Sequence, residues 1–294
     1  MKKLLLILLC LPMIGFGQLT YVPDDNFEAY LEANGMGNGV PNDDYVSTAS
    51  IDTVTYLDVS YDSIADLTGI ENFTALTELN CYSNQLTSLD VSSNLALNTL
   101  YCQGNQLDTL DVSDNLALIY LNCSYNQLTS LDVSNNLALT YLNCSSNQLT
   151  SLDVSNNLAL TYLFCMDNQL PSLDVSQNLA LTNLYCTDNQ LTSLDVSQNL
   201  ALTSLNCGGN SFSNLDLSQN ISLTRLSFGG LESNIDLSNN INLERVGLWY
   251  SQNLTALDLS NNPSLTTLLV GSNLSLTSIN LNNGNNTNLT DSAC

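Results

Sequence analysis

The chain has 294 residues, 28 of them Asp or Glu, four Lys or Arg and no His, giving a formal charge of −24. No basic footprint for nucleic acid exists, and every imidazole-dependent triad, acid–base pair or metal site is excluded. Lys2 and Lys3 open the chain, so Arg225 and Arg245 are the only cations beyond it, two scattered arginines that make a poor supply for handling phosphate. Charged residues make up 11% of the chain, against roughly 25% in ordinary domains. Hydrophobic residues make up 44%, which argues against disorder.

Residues 1–17 read as a secretory signal peptide. Two lysines precede an apolar run, and Gly15 and Gly17 supply small residues before a cut at Gln18. The run is short for a membrane span, and no later segment is long and apolar enough for one. Cys10 lies inside the run between leucines rather than small residues, which disfavours lipidation. Residues 18–53 follow as an N-terminal cap with a short helix and a loop. Asp24 or Asp25 caps the helix, Phe27, Tyr30 and Leu31 form its apolar face, and Asn34-Gly35 ends it.

From about residue 54 to 281 an internal repeat dominates. Cysteines fall at 81, 102, 123, 144, 165, 186 and 207, always 21 residues apart. Aspartates recur with the same period from Asp90 to Asp216. A fixed period near 20 residues predicts a solenoid, because one coil cannot bury its apolar face alone. The unit from Leu139, LTYLNCSSNQLTSLDVSNNLA, holds two similar halves of 10 and 11 residues. Strand alternation turns Leu142 and Cys144 inward in the first half, and Leu152 and Val154 inward in the second. Asn147 and Asn157 end the halves and are expected to turn inward and bond free backbone groups. The expected fold is a repeat β-solenoid of about eleven coils with two short parallel strands per coil, on the order of 50 Å long at about 4.8 Å per coil. After Cys207 the pattern loosens: the aspartate steps become 20 and 22, and Phe228, Leu248 and Val270 take the cysteine slot. Residues 282–294 form an Asn/Thr-rich end without the terminal cap a solenoid needs, which reads as a fragment.

These residues resemble the leucine-rich-repeat family, and the nested 10 + 11 halves are similar to its short IRREKO-type subclass. Val54–Leu79 resembles the 22-residue repeat of internalin-like proteins, and the helix before it resembles their cap. The resemblance implies a bacterial protein, secreted or held at the outer cell surface, that works as a non-enzymatic adhesion-type scaffold. Relatives with this head often carry a sorting domain for type IX secretion, and this sequence lacks one.

Three features are candidates for function. The cysteines contain no close pair of the CxxC kind, and their side chains point the same way rather than at each other. They read as small buried hydrophobes, with bridges or a metal as the alternative. Cys294, outside the ladder, is the candidate reactive thiol. The aspartates Asp90, Asp111, Asp132, Asp153, Asp174 and Asp195 stack on one outward face between hydroxyls. They serve either as plain surface residues or as weak calcium ligands, one carboxylate per coil being few for a tight site. The loop carrying Asp43 and Asp44 is a second calcium candidate, although it matches no EF-hand spacing. No other cofactor is expected. Identical settings for every carboxylate argue against separate acid and base roles, and so against an enzyme.

The other outward face varies from coil to coil and carries aromatics. Tyr101, Tyr120, Tyr141, Tyr162, Phe164 and Tyr185 are the candidate partner-binding residues, because tyrosine gives rigid contact area with a polar tip. The competing reading is that they only support one another between coils. The expected partner is an extracellular protein or glycan. The alternative is an acidic structural or matrix protein that collects calcium along its aspartates.

Overall fold

The computed structural model describes residues 17–230, 234–251, 253–284 and 289. Residues 1–16 of the expected signal segment 1–17, Cys10 among them, and Cys294 lie outside them. The chain opens with β1 (Leu19–Tyr21), α1 (Asp25–Ala33), β2 (Tyr45–Ser47) and α2 (Thr48–Ile51), β1 pairing antiparallel with β2. Asp24 caps α1 as expected. Its Oδ1 accepts the backbone N–H groups of Asn26 and Phe27, both at 3.0 Å. Its Oδ2 accepts those of Ala65 at 2.8 Å and Asp66 at 3.1 Å. One carboxylate therefore fastens the helix to the first coil. Phe27 and Leu31 are fully buried, and Phe27 stacks on Phe73 at 6.3 Å, so the cap closes the near end of the core.

The solenoid strands are β3 (Tyr56–Asp58), β4 (Glu78–Asn80), β5 (Thr99–Tyr101), β6 (Tyr120–Asn122), β7 (Tyr141–Asn143), β8 (Tyr162–Phe164), β9 (Asn183–Tyr185) and β10 (Ser204–Asn206). They continue with β11 (Arg225–Gly229), β12 (Arg245–Trp249), β13 (Ala256–Asp258), β14 (Thr267–Gly271) and β15 (Ser278–Asn280). Eleven of these, β3 to β12 and β14, form one parallel sheet in coil order. Register is constant: Leu121 pairs with Leu142 and Leu142 with Leu163. The fold is the expected parallel β-solenoid of about eleven coils.

On the opposite side a continuous ladder is missing among the described residues. One bridge joins Asp90 to Asp111, and β13 pairs with β15. Side chains have taken the backbone groups instead. Ser134 N–H goes to Asp132 Oδ1 at 2.9 Å, and the carbonyl of Val133 accepts Asn157 Nδ2 at 2.9 Å.

The core is a set of repeating columns. In one coil Leu139, Leu142, Cys144, Leu149 and Val154 are fully buried and Leu152 nearly so. Cysteine fits its column because a thiol is small, apolar and a weak donor. Cys144 Sγ lies 3.6 Å from the carbonyl of Phe164, and Cys81 Sγ lies 3.5 Å from that of Tyr101. All seven ladder cysteines are free thiols. Burial pushes Cys81, Cys144 and Cys207 up to about 12, which leaves them without thiolate character.

Two asparagine columns tie the coils, as the sequence predicts. Asn147 Nδ2 donates to the carbonyls of Cys123 at 3.0 Å, Cys144 at 3.1 Å and Ser145 at 3.2 Å, while its Oδ1 accepts Leu128 N–H at 3.0 Å. Asn157 bonds Val133 and Asn136 in the same manner. Its Oδ1 is buried without a donor, as is that of every member of its column from Asn94 to Asn262.

Two outcomes follow from these contacts. Asn147→Ala removes a buried acceptor and three donations, and lowers unfolding free energy by about 1–3 kcal/mol in urea melts. The exposed Asn156→Ala changes it by less than about 0.5 kcal/mol. Iodoacetamide followed by mass spectrometry labels the seven ladder cysteines only under denaturing conditions; labelling of the native fold would contradict the burial.

Candidate functional site

The two outward faces differ in what their side chains do. Along one, each of Asp90, Asp111, Asp132, Asp153, Asp174 and Asp195 accepts the backbone N–H of the serine two residues on, at 2.9–3.0 Å. The Ser134 hydroxyl and N–H hold the Asp132 carboxyl below its ordinary 3.8. The ladder thus consists of local turns repeated in register, with one carboxylate oxygen of each pointing into its own coil. Near the cap, Asp43 Oδ1 accepts Tyr45 N–H at 3.0 Å, and Glu28 accepts the N–H groups of Asp43 and Asp44 at 3.1 and 3.3 Å. Among the described residues no group of three or more His, Cys, Asp or Glu is placed to hold a metal ion.

The eleven-stranded sheet brings all six candidate aromatic residues together. Tyr120, Tyr141 and Tyr162 occupy the same position of β6, β7 and β8 and align across the strands. Tyr101, Phe164 and Tyr185 sit two residues further along β5, β8 and β9. Ring centroids run without a break: Tyr101 to Tyr120 at 4.8 Å, Tyr120 to Tyr141 at 4.1 Å and nearly parallel, Tyr141 to Phe164 at 5.4 Å, and Phe164 to Tyr185 at 4.8 Å. Offset and edge-on arrangements of this kind stabilise by about 0.5–1.5 kcal/mol per pair. Burial, with Tyr141 beside it, pushes the Tyr120 phenol well above its ordinary value, so it remains a neutral donor. The rings support one another and still expose edges and hydroxyls; Tyr162 is 41% exposed.

Beyond Tyr185 the sheet carries a feature that the spacing of the sequence obscures. The outward position filled by Tyr120, Tyr141 and Tyr162 is filled by Ser204, Arg225 and Arg245 in β10, β11 and β12. The two arginines are not scattered: they are register partners on adjacent strands. They line a cavity of about 170 Å3 with Tyr185, Ser227, Gly247 and Trp249. The signal was the 20-residue step between them, one coil length in the looser region. A second unforeseen feature is an apolar row on a corner, from Leu95 at 64% exposure through Leu116, Leu137 and Leu158 to Ile241 at 52%.

No family model matches the chain. A 74-residue stretch is 43% identical to internalin J of Listeria monocytogenes serotype 4b (strain F2365), covering 25% of this chain and 8% of that protein. The solved functional domain of internalin J, which includes a cysteine ladder, matches with a TM-score of 0.80 at 41% identity, over 90% of this chain and 61% of that one. An internalin (InlF) from Listeria monocytogenes matches at 0.68 and 21% identity, over 88% of this chain and 89% of that one, a likeness of fold alone. The chain has the leucine-rich-repeat fold, and over most of its length it is similar to the solved domain of internalin J. It spans a small part of internalin J and about three fifths of its solved domain.

A pH dependence follows from the aspartate turns. A carboxylate whose folded pKa lies below its unfolded value stabilises the fold above the unfolded value, and loses that contribution as pH falls through the folded one. Asn at positions 111, 132, 153, 174 and 195 keeps the oxygen acceptor and removes the titration. The melting temperature of the unaltered protein therefore falls relative to the fivefold Asp→Asn variant as pH drops below about 4. Parallel melting curves against pH would refute the assignment.

Proposed function

We propose that the chain is a non-enzymatic scaffold, exported through the segment 1–17 to the outside of a bacterium. There it binds an extracellular protein along Tyr101, Tyr120, Tyr141, Tyr162, Phe164 and Tyr185. The observation that carries this reading is the unbroken aromatic ladder on the one sheet whose outward positions vary between coils. A rigid aromatic surface loses little side-chain freedom on binding, which is why tyrosine concentrates in recognition faces. The aspartate face is uniform, and its carboxylates already serve their own turns. The likeness to internalins supports the adhesion-type role and names no partner for this chain.

The test compares three proteins on immobilised extracellular-matrix and cell-surface protein fractions: the unaltered protein, the triple variant Y120T/Y141T/Y162T, and the fivefold Asp→Asn variant. The triple variant loses at least tenfold in affinity, since hot-spot aromatics carry about 2 kcal/mol or more, and its strands stay folded because threonine suits them. The Asp→Asn variant binds as before. Equal binding by the triple variant would end the reading. A calcium-specific rise in melting temperature, absent with magnesium or chelator, would favour the acidic face as a calcium-collecting matrix surface instead.

A further inference from the structure

The arginine pair at the far end of the aromatic ladder is unusual in its surroundings. The chain carries 28 acidic residues, yet neither guanidinium forms an ion pair among the described residues, not even with the adjacent Glu244. Side by side on neighbouring strands about 4.8 Å apart, the two charges repel by roughly 1 kcal/mol in water. Both are exposed, so their heads are free to turn toward a common ligand.

The floor between them is kept bare. A Cβ on Gly247 would lie 3.2 Å from Ser227 Oγ and 3.3 Å from Trp249 Nε1. A Cβ on Gly271 would collide with the six-membered ring of Trp249, so the indole covers that glycine and its N–H lies beside Gly247. Neither the indole N–H nor the Ser227 hydroxyl has a hydrogen-bond partner among the described residues. On the other wall the Tyr185 hydroxyl is 3.1 Å from Ser204 Oγ. Arg225, Arg245, Trp249 and Ser227 thus line one cavity together, and no carboxylate is among its described lining residues.

The donors carried by these side chains favour an anion, and paired planar guanidiniums match a carboxylate. The net charge of −24 decides its kind. The field of the whole protein opposes a polyanion such as a nucleic acid or a sulfated polymer, but a single carboxylate adds one charge beside two fixed positive ones. Tyr185 belongs both to the aromatic ladder and to this cavity.

We propose that Arg225, Arg245, Trp249 and Ser227 form a carboxylate-binding subsite that takes an Asp or Glu side chain of the protein lying along the aromatic ladder. The identity of the partner as a protein rests on the function proposed above; the carboxylate site does not.

Trp249 is the chain's single tryptophan, so its fluorescence reports on the cavity without a label. The purified protein is titrated with acetyl-Leu-Glu-Leu-amide, its Gln counterpart, glucuronate and inorganic sulfate. The Glu peptide gives a saturable change with a Kd on the order of millimolar, the range for one small anchor, and the Gln peptide binds at least tenfold more weakly. Arg225→Gln and Arg245→Gln each weaken the Glu peptide at least tenfold while melting as the parent does, and sodium chloride weakens it in the parent. A response equal for Glu and Gln peptides, or unchanged in both arginine variants, overturns the subsite. Tighter binding of glucuronate or sulfate than of the Glu peptide overturns the protein side chain as its occupant. The triple variant Y120T/Y141T/Y162T retains every residue of the cavity. A normal peptide response from it, together with unimpaired partner binding, would leave the subsite standing and only the ladder reading lost.

Discussion

Each coil must come back to within hydrogen-bond reach of its predecessor at two corners, and at both the tie is a buried asparagine amide. Asn147 holds carbonyls of two successive coils and returns an acceptor to the earlier one. Such an amide cannot shift by one residue without stranding several backbone groups away from water, at about 1–3 kcal/mol for each. The closure of each coil at its corners is therefore fixed, and with it the register of every other column. Leucines fall on leucines and thiols on thiols because the amides permit one closure. The cysteine column is a consequence: a slot that recurs at a fixed depth in an apolar core takes a small side chain, and burial leaves it chemically quiet.

Fixed register makes the outward positions additive. One residue type placed once per coil becomes a continuous strip when it is repeated. On the serine-flanked side the same aspartate is used in coil after coil from Asp90 to Asp258, and the strip is a file of turns that spend an oxygen on their own backbone. On the sheet the residue changes along the file, so the strip has regions: an aromatic stretch over β5 to β9, then hydroxyls, then paired arginines and an indole over β10 to β12. A strip with regions can distinguish one end of a partner from the other, which a uniform strip cannot.

Much of this was legible in the sequence. The 21-residue period gave the solenoid, the inward residues and the inward-turned asparagines, since hydrophobic alternation and the need to satisfy buried amides act locally. The cap helix was legible from Asp24 and the Phe27–Leu31 face. The juxtaposition of the six aromatic rings followed from period alone. Two things did not. Alternation predicts two strands per coil, but it cannot say that side chains of Asp132 and Asn157 outcompete backbone partners on one side. The arginine pair was hidden because the step between Arg225 and Arg245 is 20 rather than 21. A fixed-period search misses a register that the structure keeps by adjusting a loop instead of a strand.

The near-identity of the central coils bears on how such a chain changes over generations. Coils such as Leu139–Ala159 present the same columns, asparagines and turns at both of their faces, so gain or loss of a whole unit rejoins like to like. Slippage between copies in the gene would lengthen or shorten the aromatic stretch by one strand spacing and leave the core unbroken. The cap and the arginine-bearing coils lack that freedom, because their contacts occur once. The molecule thus resembles a ruler with two fixed ends and an adjustable middle, and the distance between its ends is the quantity most open to selection.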